Sequence, residues 1–176
     1  FSKKDIRALR GKSYQDIAYT LLLPFVEGDI EAEDFRKMVD EAYGSFRHPA
    51  VAPLVQTGEN SFILELFHGP TLAFKDVAMQ LLSRLMDHVL RQRGQRATIV
   101  GATSGDTGGA TIEAFAGLDN ADIFILFPHQ LVSPVQQRQM TTSGAPNVHA
   151  LSVTGNFDDC QNLVKAMFND AAFRDR

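Results

Sequence analysis

From residue 97 onward the chain alternates short runs of β-branched and aromatic residues with stretches of helical periodicity. The runs 97–102, 123–127 and 148–153 are rich in Val, Ile, Leu and Phe, and helical patterns follow at 107–115, at 134–142 and from about Phe157. Strands separated by helices of this length are joined by right-handed crossovers, which makes the sheet parallel and covers its faces. The fold class is therefore α/β. In such sheets ligands bind beyond the carboxyl ends of the strands, so the loops after Val100, Phe127 and Val153 are where a site is expected.

Upstream the texture changes. A long helix is expected at 72–93, with an apolar stripe at Phe74, Ala78, Leu81, Leu82, Leu85 and Val89 and with Gly94 as its stop. The first 46 residues are helical in pattern. Ser13 is a fair N-cap for a helix carrying Ile17, Leu21 and Leu22, which Pro24 ends or disrupts. A second helix over 32–43 places Phe35, Met38, Val39 and Ala42 on one face before Gly44. The acidic stretch 27–34 reads as a solvated loop and helix start. Strand-like runs at 52–56 and 61–67 flank Thr57-Gly58-Glu59-Asn60 and suggest a hairpin. The expected organisation is a helical segment over 1–50 and an α/β region over 51–176.

Composition narrows the function classes. Hydrophobic residues are 44% and charged residues 22% of the 176, as in ordinary soluble domains. Lys plus Arg number 17 against 21 Asp plus Glu, a net charge of −4, which argues against nucleic-acid binding through bulk charge. The single cysteine, Cys160, excludes an internal disulfide framework, fits a reducing compartment, and reads as a small core residue. No apolar run approaches the length of a membrane span; the longest, 18–26, is interrupted by Thr20 and Pro24. His48, His88, His129 and His149 show no metal spacing, so no metal site is expected. The first residue is Phe1 and the last stretch is charged, so the chain reads as a piece of something longer.

The loop after the first of the three strands is the most unusual stretch: Gly101-Ala102-Thr103-Ser104-Gly105-Asp106-Thr107-Gly108-Gly109. Small residues let backbone approach a ligand, free N–H groups at a helix start favour an anion, and Thr103, Ser104 and Thr107 add hydroxyls. A carboxylate or a phosphate would suit it. It is neither a P-loop, lacking Gly-Lys-Ser/Thr, nor a Gly-x-Gly-x-x-Gly dinucleotide turn. The plainer alternative is a tight strand-to-helix turn with Thr107 as a cap.

The second notable stretch is His68-Gly69-Pro70-Thr71-Leu72-Ala73-Phe74-Lys75-Asp76. Gly69-Pro70 forces a turn, and Thr71 is a good N-cap for the long helix. Lys75 then falls in the first helical turn, where a cation is disfavoured. That favours the uncharged amine that condensation with an aldehyde requires. The alternative is a solvated lysine paired with Asp76.

Residues 66–76, LFHGPTLAFKD, resemble the cofactor-lysine motif of the threonine synthase family, and 102–108, ATSGDTG, resemble the substrate loop of the same family. Further likeness runs through Phe127-Pro128, Ser133-Pro134-Val135-Gln136 and Gly155-Asn156-Phe157-Asp158-Asp159-Cys160-Gln161. It covers nearly the whole chain, with 1–55 the weaker part. The resemblance implies the tryptophan synthase β-like class, fold-type II of the pyridoxal-phosphate enzymes. A helical N-terminal segment would precede a parallel-sheet three-layer domain, incomplete here. It implies pyridoxal 5'-phosphate as cofactor, carried by Lys75, and conversion of O-phospho-L-homoserine and water to L-threonine and phosphate. Ser104, Gly105, Asp106 and Thr107, with Thr103, would hold the substrate carboxylate. Asp106 would sit where related enzymes often have Asn near the cofactor's phenolic oxygen. Phe74 is counted at the cofactor as packing. His68 could meet the leaving phosphate or simply stabilise its turn.

Neither a glycine-rich loop for the cofactor phosphate nor a Ser or Thr for the pyridine nitrogen is found, so this stretch alone is expected to bind the cofactor poorly. A small-molecule substrate, no nucleic acid, no membrane and a cytoplasmic location complete the expectation. A serine or threonine dehydratase, or a non-catalytic phospholigand-binding homologue, are the alternatives.

Overall fold

Ser2 and Asp5 close a reciprocal capping box over α1 (Lys3–Ala8), and the Ser13 oxygen accepts the Asp16 N–H to open α2 (Tyr14–Leu22). Pro24 ends α2 as expected, in a single 3-10 turn, Leu23–Phe25. A third helix, α3 (Ala32–Gly44), buries Phe35, Met38, Val39, Ala42 and Tyr43. These residues belong to the computed structural model, which describes residues 1–174 and divides into two compact units, Phe1–Leu85 and a second beginning at Met86.

In the first unit the apolar face of α3 packs with Ala18, Ile30, Val51 and Leu81. Each large side chain fully buried in this way contributes about 1.5–3 kcal/mol. Tyr14 meets Tyr43 edge-on at 4.9 Å, and Tyr19 stacks on Phe35 at 5.9 Å. Burial pushes the Tyr43 phenol up to about 12, with Tyr14 adding to the shift. The hairpin forms from β1 (Leu54–Gly58) and β2 (Ser61–Leu64), paired antiparallel with Leu54 opposite Leu64 and Gly58 opposite Ser61. Against the sequence runs, β1 reaches two residues further towards the turn, with an irregularity between Gln56 and Gly58, and β2 stops at Leu64.

The long helix, α4 (Asp76–Arg93), departs from expectation in its start and in its face. Phe74 and Leu82, two members of the expected stripe, are exposed, whereas Asp76, Gln80, Ser83 and Asp87 are buried alongside Leu81. The polar residues tolerate burial because they are partnered. Ser83 Oγ donates to the Gln80 carbonyl at 3.2 Å, and Asp87 accepts from Arg91 and from Asn120 Nδ2.

In the second unit β3 (Ala97–Ala102), α5 (Asp106–Phe115), β4 (Ala121–Pro128), α6 (Pro134–Thr141), β5 (Val148–Val153), α7 (Phe157–Asn169) and α8 (Ala171–Arg174) follow in order. The three strands form one parallel sheet, β3-β4-β5, as the alternation requires. Its central strand, β4, is the apolar one, with Ile123, Ile125, Leu126 and Phe127 buried. Asn156 caps α7 in a capping box with Asp159, and Cys160 is a buried free thiol pushed up by burial and by Asp159.

Asn147, at the foot of β5, ties the unit together. Its Nδ2 lies 2.9, 3.2 and 2.8 Å from the carbonyls of Phe115, Leu118 and Ala121, and its Oδ1 accepts the Gly117 N–H at 2.8 Å. Replacing it would strand several of these backbone groups away from water. Asn147→Ala in the full-length protein is expected to cost about 2–3 kcal/mol. In thermal denaturation that is a fall of roughly 4–12 °C. Among the described residues no helix is long and apolar enough to cross a membrane, and no group of three or more His, Cys, Asp and Glu could hold a metal ion.

Candidate functional site

In the first unit the turn before α4 is built around a buried carboxylate. Asp76 is inaccessible to solvent; its Oδ2 accepts the Thr71 N–H at 2.8 Å and its Oδ1 accepts the Thr71 hydroxyl at 2.7 Å. Gly69 lies flat against it, so close that a Cβ there would fall 2.4–2.8 Å from Asp76 side-chain atoms. Leu72 takes the left-handed conformation, φ 66°, to complete the turn. Thr71 therefore does not cap a helix starting at 72. It donates to Asp76, and α4 starts at Asp76 itself.

Lys75 immediately precedes the helix. The Ala78 N–H reaches the Lys75 carbonyl at 3.2 Å and the Met79 N–H reaches it at 2.9 Å, which is where the regular i to i−4 bonding begins. The alternative pairing of Lys75 with Asp76 does not form; Asp76 turns both oxygens to Thr71 instead. Lys75 Nζ instead lies 4.2 Å from the centre of the Phe74 ring. Among the described residues no carboxylate stands within ion-pair distance of it. The lysine is half-buried and Phe74 is exposed.

His68 has local partners. Its Nε2 is 2.7 Å from Glu65 Oε2, its carbonyl accepts the Arg47 N–H at 2.9 Å, and its ring packs beside Phe67 and His48. These contacts hold the ring against its own turn.

In the second unit the strand-to-helix loop is organised from within by Thr103. Its N–H donates to the Leu126 carbonyl at 2.9 Å, extending the strand pairing by one residue. Its side chain is buried, and Oγ1 accepts the N–H groups of Gly105 at 3.0 Å and Gly108 at 2.9 Å. Gly105 stands before the first residue of α5 with φ 145°, a conformation that favours glycine. Thr107 is consequently inside the helix and not its cap. The N–H groups of Ser104, Asp106 and Thr107 find no acceptor among the described residues.

Three open donors at the start of a ten-residue helix suit an anion, because the unpaired N–H groups carry the positive end of the helix dipole. Of the loop residues expected to bind, Ser104, Asp106 and Thr107 present these donors, while Thr103 and Gly105 shape the turn that exposes them.

Sequence reasoning missed Gln136 as a member of this cluster. It is the third residue of α6, and its Nε2 donates to Asp106 Oδ1 at 2.5 Å. The Ser-x-x-Gln pattern at Ser133 marked a capping box, and the loops after β3 and β4 leave the same edge of a parallel sheet. Those two signals together could have pointed to it.

A family model described as pyridoxal-phosphate dependent enzyme matches residues 47–174, and one described as threonine synthase N terminus matches residues 1–43. The chain is 55% identical to a threonine synthase of Pseudomonas aeruginosa over 98% of its own length and 37% of that protein. It is 46% identical to the threonine synthase of Schizosaccharomyces pombe over 96% of its length and 34% of that protein. Among solved structures, a PLP-bound threonine synthase from Brucella melitensis superposes with a TM-score of 0.95 at 73% identity, over 99% of this chain and 38% of that one. The yeast threonine synthase superposes with a TM-score of 0.87 at 42% identity, over 93% and 35%. The chain thus spans little more than a third of the length of these relatives.

Proposed function

Because this chain belongs to the threonine synthase family of pyridoxal-phosphate dependent enzymes, we propose that it forms part of an enzyme converting O-phospho-L-homoserine and water to L-threonine and phosphate. Lys75 carries pyridoxal 5'-phosphate in this reading. The observation that supports it most is a half-buried amine set directly before a helix, with an aromatic ring beside it and, among the described residues, no carboxylate within ion-pair distance. The residues present suit an aldehyde cofactor in that respect. When bound, the cofactor supplies an aldehyde for amines and a ring that takes up negative charge from the adjacent carbon.

The chain's own groups have distinct roles in the reaction. Lys75 Nζ would hold the cofactor and, when free, would serve as the base that moves protons at the substrate's α- and β-carbons. Ser104, Asp106 and Thr107 direct backbone N–H groups, and the two hydroxyls, at the substrate carboxylate. Phosphate leaves the γ-carbon, which takes up a proton to become the methyl group, and water adds at the β-carbon, which has given one up, so the enzyme is a carbon–oxygen lyase acting on a phosphate ester. A cytoplasmic location and a small-molecule substrate belong to the same reading.

The full-length protein with added cofactor is expected to release phosphate from O-phospho-L-homoserine with an equal amount of threonine. Formation of a keto acid from serine, with no phosphate released from the phosphoester, would make it a dehydratase instead.

A further inference from the structure

Ser133-Pro134-Val135-Gln136 is the start of α6, and helix capping alone accounts for only half of what Gln136 does. Its Oε1 accepts the Ser133 hydroxyl at 2.9 Å and faces the Ser133 N–H at 3.4 Å, while its own N–H reaches Ser133 Oγ at 3.3 Å. That is the reciprocal capping box. The other end of the same amide, Nε2, donates to Asp106 Oδ1 at the first residue of α5. The amide also lies flat on Gly105: a Cβ at that position would fall 2.4–2.6 Å from its Cδ, Oε1 and Nε2. The open loop is therefore braced twice, by Thr103 from beneath and by Gln136 from above.

We infer that Gln136 is a positioning residue for substrate binding: it fixes one oxygen of Asp106 and holds Gly105 in its left-handed turn, so that the N–H groups of Ser104, Asp106 and Thr107 stand ready for a carboxylate. The inference rests on the reading that this loop takes the substrate carboxylate. An amide suits this double role because it accepts at one end and donates at the other. A carboxylate in its place would keep the cap and lose the brace, since Glu serves a capping box as well as Gln but offers Asp106 no N–H.

The test uses the full-length enzyme loaded with cofactor, comparing wild type, Gln136→Glu, Asp106→Asn and the double variant. Gln136→Glu is expected to raise KM for O-phospho-L-homoserine and the calorimetric Kd for L-threonine about tenfold, the scale of one lost hydrogen bond to a charged group. The change in kcat is smaller and the thermal midpoint is unchanged. In the Asp106→Asn background the same substitution is expected to carry no further loss, because the introduced carboxylate can accept from the new amide.

A wild-type enzyme with an unchanged KM and Kd in Gln136→Glu would overturn the inference alone. So would an equal loss in both backgrounds accompanied by a lower thermal midpoint, which is what a purely structural cap gives. A wild type that releases no phosphate and binds no L-threonine would remove the underlying reading, and the inference with it.

Discussion

Lys75→Ala in the full-length protein should lower phosphate release from O-phospho-L-homoserine by at least about 10³-fold. That is the scale expected when covalent attachment and proton transfer are lost from one group. Neighbouring groups offer no substitute. Among the described residues the amine stands apart from the carboxylates, and its close partner is the Phe74 ring. Lys75→Arg should fail as completely, because a guanidinium keeps its charge and does not condense with an aldehyde. The variant should keep the wild-type fold, since the Lys75 contributions to α4 are backbone carbonyl contacts with Ala78 and Met79 that any residue supplies. Measured turnover within tenfold of wild type would dismiss Lys75 as the cofactor residue.

The largest effect on stability should come from its neighbour. Asp76 is fully buried and accepts both the N–H and the hydroxyl of Thr71, so Asp76→Ala strands two donors in a turn that Gly69 packs against. Hydrogen bonds to a charged group are worth about 1.5–3 kcal/mol each, and the expected loss is about 3 kcal/mol or more. In denaturant that appears as a lower midpoint with an unchanged slope. Asp76→Asn, which preserves shape but turns an N–H toward a donor, should fall between. A loss below about 1 kcal/mol for Asp76→Ala would mean that the turn does not depend on this carboxylate.

The parallel sheet was legible because its signals are local. The run 148–153 forms β5, and α6 and α7 start at Pro134 and Phe157, where the pattern puts them. The start of α4 was not legible. Thr71 has the chemistry of an N-cap, but it donates to Asp76, and Leu72 adopts a positive φ that nothing in its side chain announces. The buried face of α4 was misread for a related reason. Hydrophobic periodicity ranks side chains by polarity, whereas Asp87 and Ser83 are buried because specific partners satisfy them. In the loop, residue types pointed to an anion, but the division of labour needed coordinates. That Thr103 faces inward, and that Gln136 reaches Asp106 across a separation of 30 residues, are facts of packing.

Borohydride reduction of the cofactor-loaded full-length protein, followed by peptide mass mapping, tests the assignment of the cofactor lysine most directly. The expected result is a single phosphopyridoxyl adduct on the peptide carrying Phe74-Lys75-Asp76, absent from Lys75→Ala. A reduced adduct on a different lysine, or none at all, would contradict it.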